Sequence, residues 1–169
     1  MKKFAFAFLA LMSLCLAPFT GSAETLDEPT MKAKLSETLG DKTIWMVPAF
    51  KDYKRNAACE DVKKVFATIV CDPTKFDSSK VAVENNSLIS GYKFYFDKGK
   101  LHSITLIFHG DLDKELFKKV SLELGEAKWG ALKPEKREKD ILTWVNSSFD
   151  TVQRSYMVNH WEINVVAPK

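Results

Sequence analysis

Residues 91–109 read GYKFYFDKGKLHSITLIFH. Tyr92, Phe94 and Phe96 alternate with Gly91, Lys93 and Tyr95, and Ile104, Leu106 and Phe108 alternate with Ser103, Thr105 and Ile107. Period-two alternation on both sides of a short Asp-Lys-Gly linker specifies a β-hairpin. Two turns could close it. A three-residue loop at Asp97-Lys98-Gly99, with Gly99 left-handed, makes a type I turn with a bulge. That loop sets Tyr92 opposite Ile104 and Phe94 opposite His102. A two-residue loop at Lys98-Gly99 would set Phe94 opposite Ser103 and Tyr92 opposite Thr105. A one-residue slip moves a whole face, so the apolar pattern selects the three-residue loop. Tyr92, Phe94 and Phe96 then meet His102, Ile104, Leu106 and Phe108 on the core side. Tyr95 and Ile107 point away from it. Exposed there, they are candidate binding residues for a partner; a second helix or the N-terminal arm could instead cover them.

Downstream, Gly110-Asp111 opens a helix, with Asp111 as its N-cap and Asp113 and Glu115 in its first turn. Leu112, Leu116, Phe117, Val120 and Leu124 form one stripe, and Gly125 is the expected stop. Trp129 follows in EAKWG, beside the loop GALKPEKREKD (130–140), whose alternating charges mark a solvated connector. Trp129 reads either as a binding anchor or as a helix-end residue packed over the core edge. Strands are expected at about 140–146, 151–158 and 161–167. A turn at Asn159-His160 pairs Val158 with Trp161, Tyr156 with Ile163 and Arg154 with Val165. Tyr156, Val158, Trp161, Ile163 and Val165 then share the core face.

Upstream, Glu28-Pro29 suits a first helical turn, Met31, Leu35 and Leu39 recur at helical spacing, and Gly40 ends the run. Pro48 demotes Ile44 to Phe50 to an edge strand or extended arm. Asn56 is a candidate cap for a helix through CEDVKKVFATI, with Cys59, Val62, Phe66 and Ile69 on one stripe. Cys59 and Cys71 read as a disulfide, the alternative being two buried free thiols. A straight helix from Cys59 to Cys71 would hold them about 18 Å apart at its rise per residue. A bridge needs Cα atoms within about 7 Å. The helix should therefore end near Phe66 to Thr68 and the chain turn back.

These elements predict an α+β domain over residues 24–169: a mostly antiparallel sheet of about five strands with helices packed on one face. The order helix, hairpin, helix, strands resembles, in architecture, the small envelope and inhibitor modules grouped as SmpA- or BLIP-like. That likeness is one of layers, with no motif behind it.

Residues 1–23 read as a cleaved signal peptide: Lys2-Lys3, the apolar run Phe4 to Ala17, Pro18, then Gly21-Ser22-Ala23. The run is short of the ~20 residues a bilayer span needs. Cys15 follows Leu14, where a lipoprotein signal would have a small residue. The expected destination is the periplasm or the cell exterior. The full chain of 169 residues has net charge +3; without residues 1–23 it has 146 residues, 23 basic and 22 acidic, for a net charge of +1. A near-neutral chain of mixed sign has no electrostatic footprint for nucleic acid or an anionic membrane.

Chemistry-bearing motifs are sparse. There is no GxSxG, P-loop, GxGxxG, CxxC or EF-hand pattern. His102 and His109 sit at an odd separation on one strand, so they face opposite ways, and His160 lies in a turn. No cofactor or metal site is expected. Nor is catalysis, although a hydrolase could still assemble if His102 or His109 met an acid and a hydroxyl in a cleft. The expectation is an exported module that binds another periplasmic or extracellular protein, as an inhibitor or immunity protein does. An envelope assembly factor is the alternative.

Overall fold

A two-residue turn closes the central hairpin. The computed structural model describes residues 25–40, 56–130, 141–146 and 149–166. Strands β2 (Ile89–Asp97) and β3 (Lys100–Phe108) meet at Lys98-Gly99. Both turn residues have positive φ, 49° and 75°, as a type I′ turn requires. Asp97 faces Lys100 and Phe96 faces Leu101; beyond them Tyr95 faces Ser103, Phe94 faces Ile104 and Tyr92 faces Leu106. His102 is the extra residue, a β-bulge. Neither register expected from the sequence holds. The bulge shifts the strand by one residue and so restores the apolar faces that a three-residue loop would have aligned. Leu101 takes the core position expected for His102.

The sheet has six strands, not about five, and every pair is antiparallel, in the order β1-β2-β3-β6-β5-β4. The added strand is β1 (Phe76–Ala82), on the outer edge of β2. Strands β4 (Ile141–Asn146), β5 (Phe149–Met157) and β6 (His160–Val166) form the second half. The β5–β6 turn is Val158-Asn159, so Tyr156 faces Trp161, Arg154 faces Ile163 and Val152 faces Val165. Val158, expected in the core, is 98% exposed because it sits at the turn.

One buried row crosses the whole sheet: Ser79, Phe94, Ile104, Val165, Val152 and Trp144. Helices pack over it. Helix α1 (Glu28–Leu39) is capped by Asp27, which accepts from the Thr30 backbone N–H at 2.9 Å. It buries Met31, Leu35 and Leu39 as their spacing predicts. Helix α2 (Cys59–Val65) has Ala58, not Asn56, at its N-cap. Asn56 instead has φ 68° and donates its N–H to the Leu101 carbonyl, tying this segment to β3. Helix α2 ends at Val65, and Cys71 returns to Cys59 as a disulfide with Cα atoms 5.8 Å apart. Phe66 then lies 5.2 Å from Phe94.

Helix α3 (Lys114–Trp129) starts later and runs further than its sequence suggests. Asp113, not Asp111, is the N-cap, accepting from the Leu116 N–H at 2.7 Å. Gly125 is not the stop; it is buried in the helix interior, and Gly130 ends the helix. A Cβ at Gly125 would run into the Trp144 indole, so glycine is kept for close approach rather than for termination. Phe117 packs 4.6 Å from Phe108 and 5.4 Å from Trp161. Arg154, on the core face, is 1% exposed. Its Nη1 donates to the Lys118 carbonyl at 2.7 Å and to Ser121 Oγ at 2.6 Å. Its guanidinium sits 4.8 Å over the Trp161 ring. These contacts of α2 and α3 all fall on one side of the sheet. The expected leader (1–23), the segment Ile44 to Phe50 and loop residues 131–140 lie outside the described residues.

Candidate functional site

The opposite side of the sheet carries three rows of side chains set by strand register. The middle row is Lys80, Lys93, Thr105, Asn164, Gln153 and Thr143, one from each strand. Asn164 Nδ2 donates to Thr105 Oγ1 at 2.9 Å, and Gln153 Nε2 to Thr143 Oγ1 at 3.5 Å, the outer limit of such a bond. The row nearest the β2–β3 turn is Ser78, Tyr95, Ser103, Val166 and Thr151. The third holds Gly91, Ile107, Glu162, Ser155 and Ile141. In the middle of the sheet, every strand is paired on both edges, so only side chains are available to a ligand.

A shallow pocket of about 320 Å³ opens at the turn-proximal end of this face. Phe76, Tyr95 and His102 wall one side, and Ser103, Thr151, Gln153, Asn164 and Val166 supply the rest. The Phe76 ring lies 6.0 Å from Tyr95 and 5.9 Å from His102, nearly perpendicular to the latter at 75°. Phe76 is 56% exposed. Lys93 Nζ sits 4.9 Å from the Tyr95 ring centroid, beside the pocket and outside its lining. His102 owes its place there to the bulge. Its Nδ1 is buried with no hydrogen-bond partner among the described residues.

A second pocket, about 390 Å³, lies where α1, α3 and the end of β3 converge. His109, Ser87, Asp111 and Asp113 contribute its polar lining. These are the residue types of a nucleophile relay, yet each is engaged elsewhere or apart. His109 Nε2 bonds the Asn86 carbonyl at 2.7 Å, which makes that nitrogen the donor. Ser87 Oγ accepts from Lys34 Nζ at 2.8 Å, and Asp113 caps α3. Among the described residues, no hydrogen bond joins His109 to Ser87, Asp111 or Asp113, the link that a relay requires. His160 Nε2 faces Glu162 Oε1 at 3.1 Å on another part of β6. No three His, Cys, Asp or Glu side chains among the described residues gather as a metal site.

The residues singled out in the sequence separate. Tyr95 and Ile107 both face away from the helices, but Ile107 is only 5% exposed. Trp129 is 3% exposed and packs edge-on against Trp144, with ring centroids 5.0 Å apart. It belongs to the core between α3 and β4. Cys59 and Cys71 form the disulfide on the helix side. His102, considered for a hydrolase site, meets the hydroxyls of Ser103 and Thr151 but no carboxylate among the described lining residues. Phe76 and the amides of Gln153 and Asn164 escaped notice, because their strands meet only after β3 pairs with β6. Among the described residues, no helix is long and apolar enough to cross a membrane. No protein-family model, curated protein or solved structure matches the chain.

Proposed function

We propose that the chain is a small exported recognition module that binds another periplasmic or extracellular protein through the helix-free face of its sheet, as an inhibitor or immunity protein for an envelope-acting enzyme. One observation carries this reading. Among the described residues, the helices occupy one face, while the other presents exposed Phe76 and half-buried Tyr95 beside uncharged hydrogen-bonding groups. An aromatic anchor rimmed by polar side chains is the usual make-up of a recognition surface. The disulfide supports an oxidising compartment, in keeping with the leader-like residues 1–23.

The test is affinity capture from periplasm and culture fluid with the wild-type chain and with Phe76→Ser and Tyr95→Ser. A partner held by the wild type and lost by both variants is the expected result. A foreign enzyme among such partners favours inhibition; a resident envelope protein favours the alternative, an assembly factor. Equal retention by all three proteins would remove this face from the account.

A further inference from the structure

The turn-proximal pocket has a ligand chemistry of its own. Among the described residues, its lining holds no carboxylate, lysine or arginine, so no fixed charge there calls for a charged ligand. One N–H of the Asn164 amide is given to Thr105, and the Gln153 amide reaches Thr143 only at 3.5 Å. Each amide therefore keeps a carbonyl oxygen and at least one N–H, so these side chains can both accept from and donate to a ligand. Ser103 and Thr151 add hydroxyls that can donate or accept. His102 has its Nδ1 enclosed, which leaves Nε2 as the nitrogen that can address a ligand. The Phe76 ring supplies an apolar wall that packing alone does not require, since it is more than half exposed.

The complementary ligand is small and uncharged, brings several hydroxyls that both donate and accept within one ring's width, and has an apolar face to lay on an aromatic ring. A pyranose has these properties: its hydroxyls lie around the rim and its axial C–H groups on the face. An extended peptide fits less well. Of the strands that line it, β2, β3, β6 and β5 are paired on both sides and only β1, which carries Phe76, lies at an edge, so a peptide backbone could extend the sheet outside the pocket but not within it. The volume of about 320 Å³ is at the lower end of small-ligand sites.

We propose that this pocket binds one ring of a neutral carbohydrate, stacked on Phe76 and hydrogen-bonded through Asn164, Gln153, Ser103 and Thr151. The proposal goes beyond the protein-binding reading: it concerns the pocket at one end of this face and stands or falls separately from a protein partner there.

The test is a ¹⁵N-resolved NMR titration of the full chain with two uncharged probes, maltotriose and tri-N-acetylchitotriose. Saturating shifts are expected at Tyr95, Ser103, Thr151, Gln153 and Asn164, with Kd on the order of millimolar for so shallow a site. Phe76→Ala and Gln153→Ala should each weaken binding about tenfold. Their spectra should be otherwise unchanged, since Phe76 and Gln153 are exposed. Absence of saturation with both probes, shifts centred elsewhere, or unaltered affinity in both variants would each overturn the proposal. Loss of protein capture by Phe76→Ser with no sugar response would overturn it too, yet leave the face as a protein-binding surface. Sugar binding with protein capture indifferent to Phe76 would support the proposal and remove the protein partner from this face.

Discussion

Gly125→Ala sets helix propensity against tertiary packing. In the interior of a helix, alanine is favoured over glycine by about 1 kcal/mol. At position 125 the new Cβ would stand 2.9 Å from Cε2 and Cη2 of Trp144, and closer still to Cζ2. Optimal carbon–carbon contact is ~3.5–4.0 Å, so the indole has to yield by roughly an ångström. It has little room to do so: Trp144 is fully buried and wedged edge-on against Trp129 at 5.0 Å. Overpacking of a filled core costs about 1–3 kcal/mol. With three ring atoms involved, we place this case near the upper end, for a net loss of about 2 kcal/mol. At ~2–4 °C per kcal/mol for a domain of this size, the thermal midpoint should fall by about 4–8 °C. Urea unfolding followed by tryptophan fluorescence and far-UV dichroism would measure it. The partner experiment is Trp144→Phe, which removes the crowding ring atoms. On that background Gly125→Ala should stabilise by about 1 kcal/mol, the bare propensity difference. The opposite signs in the two backgrounds constitute the coupling. If Gly125→Ala stabilises the otherwise wild-type chain, the packing argument fails.

The remaining predictions concern the staple, the buried cation and the first helix. Cys59→Ser with Cys71→Ser opens a loop of sequence separation 12 and should cost about 3 kcal/mol on the loop-entropy scale, measured as a lower urea midpoint. Arg154→Ala abandons the bonds to Lys118 and Ser121 and should cost about 2–4 kcal/mol, whereas Arg154→Met, of similar length, should stay within about 1 kcal/mol of wild type. A loss with methionine as large as with alanine would show that the charge itself is needed. The Thr30 hydroxyl, and then its backbone N–H, hold the Asp27 carboxyl below the ordinary aspartate range. Its contribution to α1 is thus fully present above the unfolded-state pKa of about 3.9 and is lost as pH falls through the lower folded value. Asp27→Asn should flatten the acid limb of the stability profile in that window; an unchanged limb would assign it to other carboxylates.

Much of the helix side could be read from residue types. The helical spacing of Met31, Leu35 and Leu39, with Glu28-Pro29 in the first turn and Gly40 at the stop, places α1, although it does not single out Asp27 as the cap. The Cys59–Cys71 distance argument ends α2 early. What escaped depends on contacts remote in sequence. Nothing in Lys98 signals its positive φ, and the bulge at His102 compensates a turn one residue shorter than expected. Strand β1, FDSSKVA, buries only Ser79, so it has no apolar alternation to detect; its pairing with β2 creates it. Gly125 looks like a helix terminator because the residue that requires it, Trp144, lies on β4. Arg154 is expected from the sequence only as the partner of Val165, and its acceptors, the Lys118 carbonyl and Ser121 Oγ, lie on α3, remote in sequence. For the site, alternation identified Tyr95 as facing away from the core. Phe76, His102, Gln153 and Asn164 became neighbours only through an edge strand, a bulge and a long-range strand pair.

The joint between β3 and β6 has a thermodynamic consequence. Strands β1–β3 and β4–β6 are each contiguous meanders, and only β3 and β6 stitch them into one sheet, over five registered pairs from Ser103–Val166 to Ile107–Glu162. Local hairpins close early and cheaply, whereas this long-range suture pays the larger loop-closure entropy and is the natural line of cleavage in partial opening. The turn-proximal pocket lies across that suture, with Tyr95, His102 and Ser103 from one meander and Thr151, Gln153, Asn164 and Val166 from the other. Any molecule seated there touches both halves at once. By mass action it would raise the cost of parting them by RT ln(1 + [L]/Kd), so occupancy would be readable as slowed amide exchange along β3 and β6.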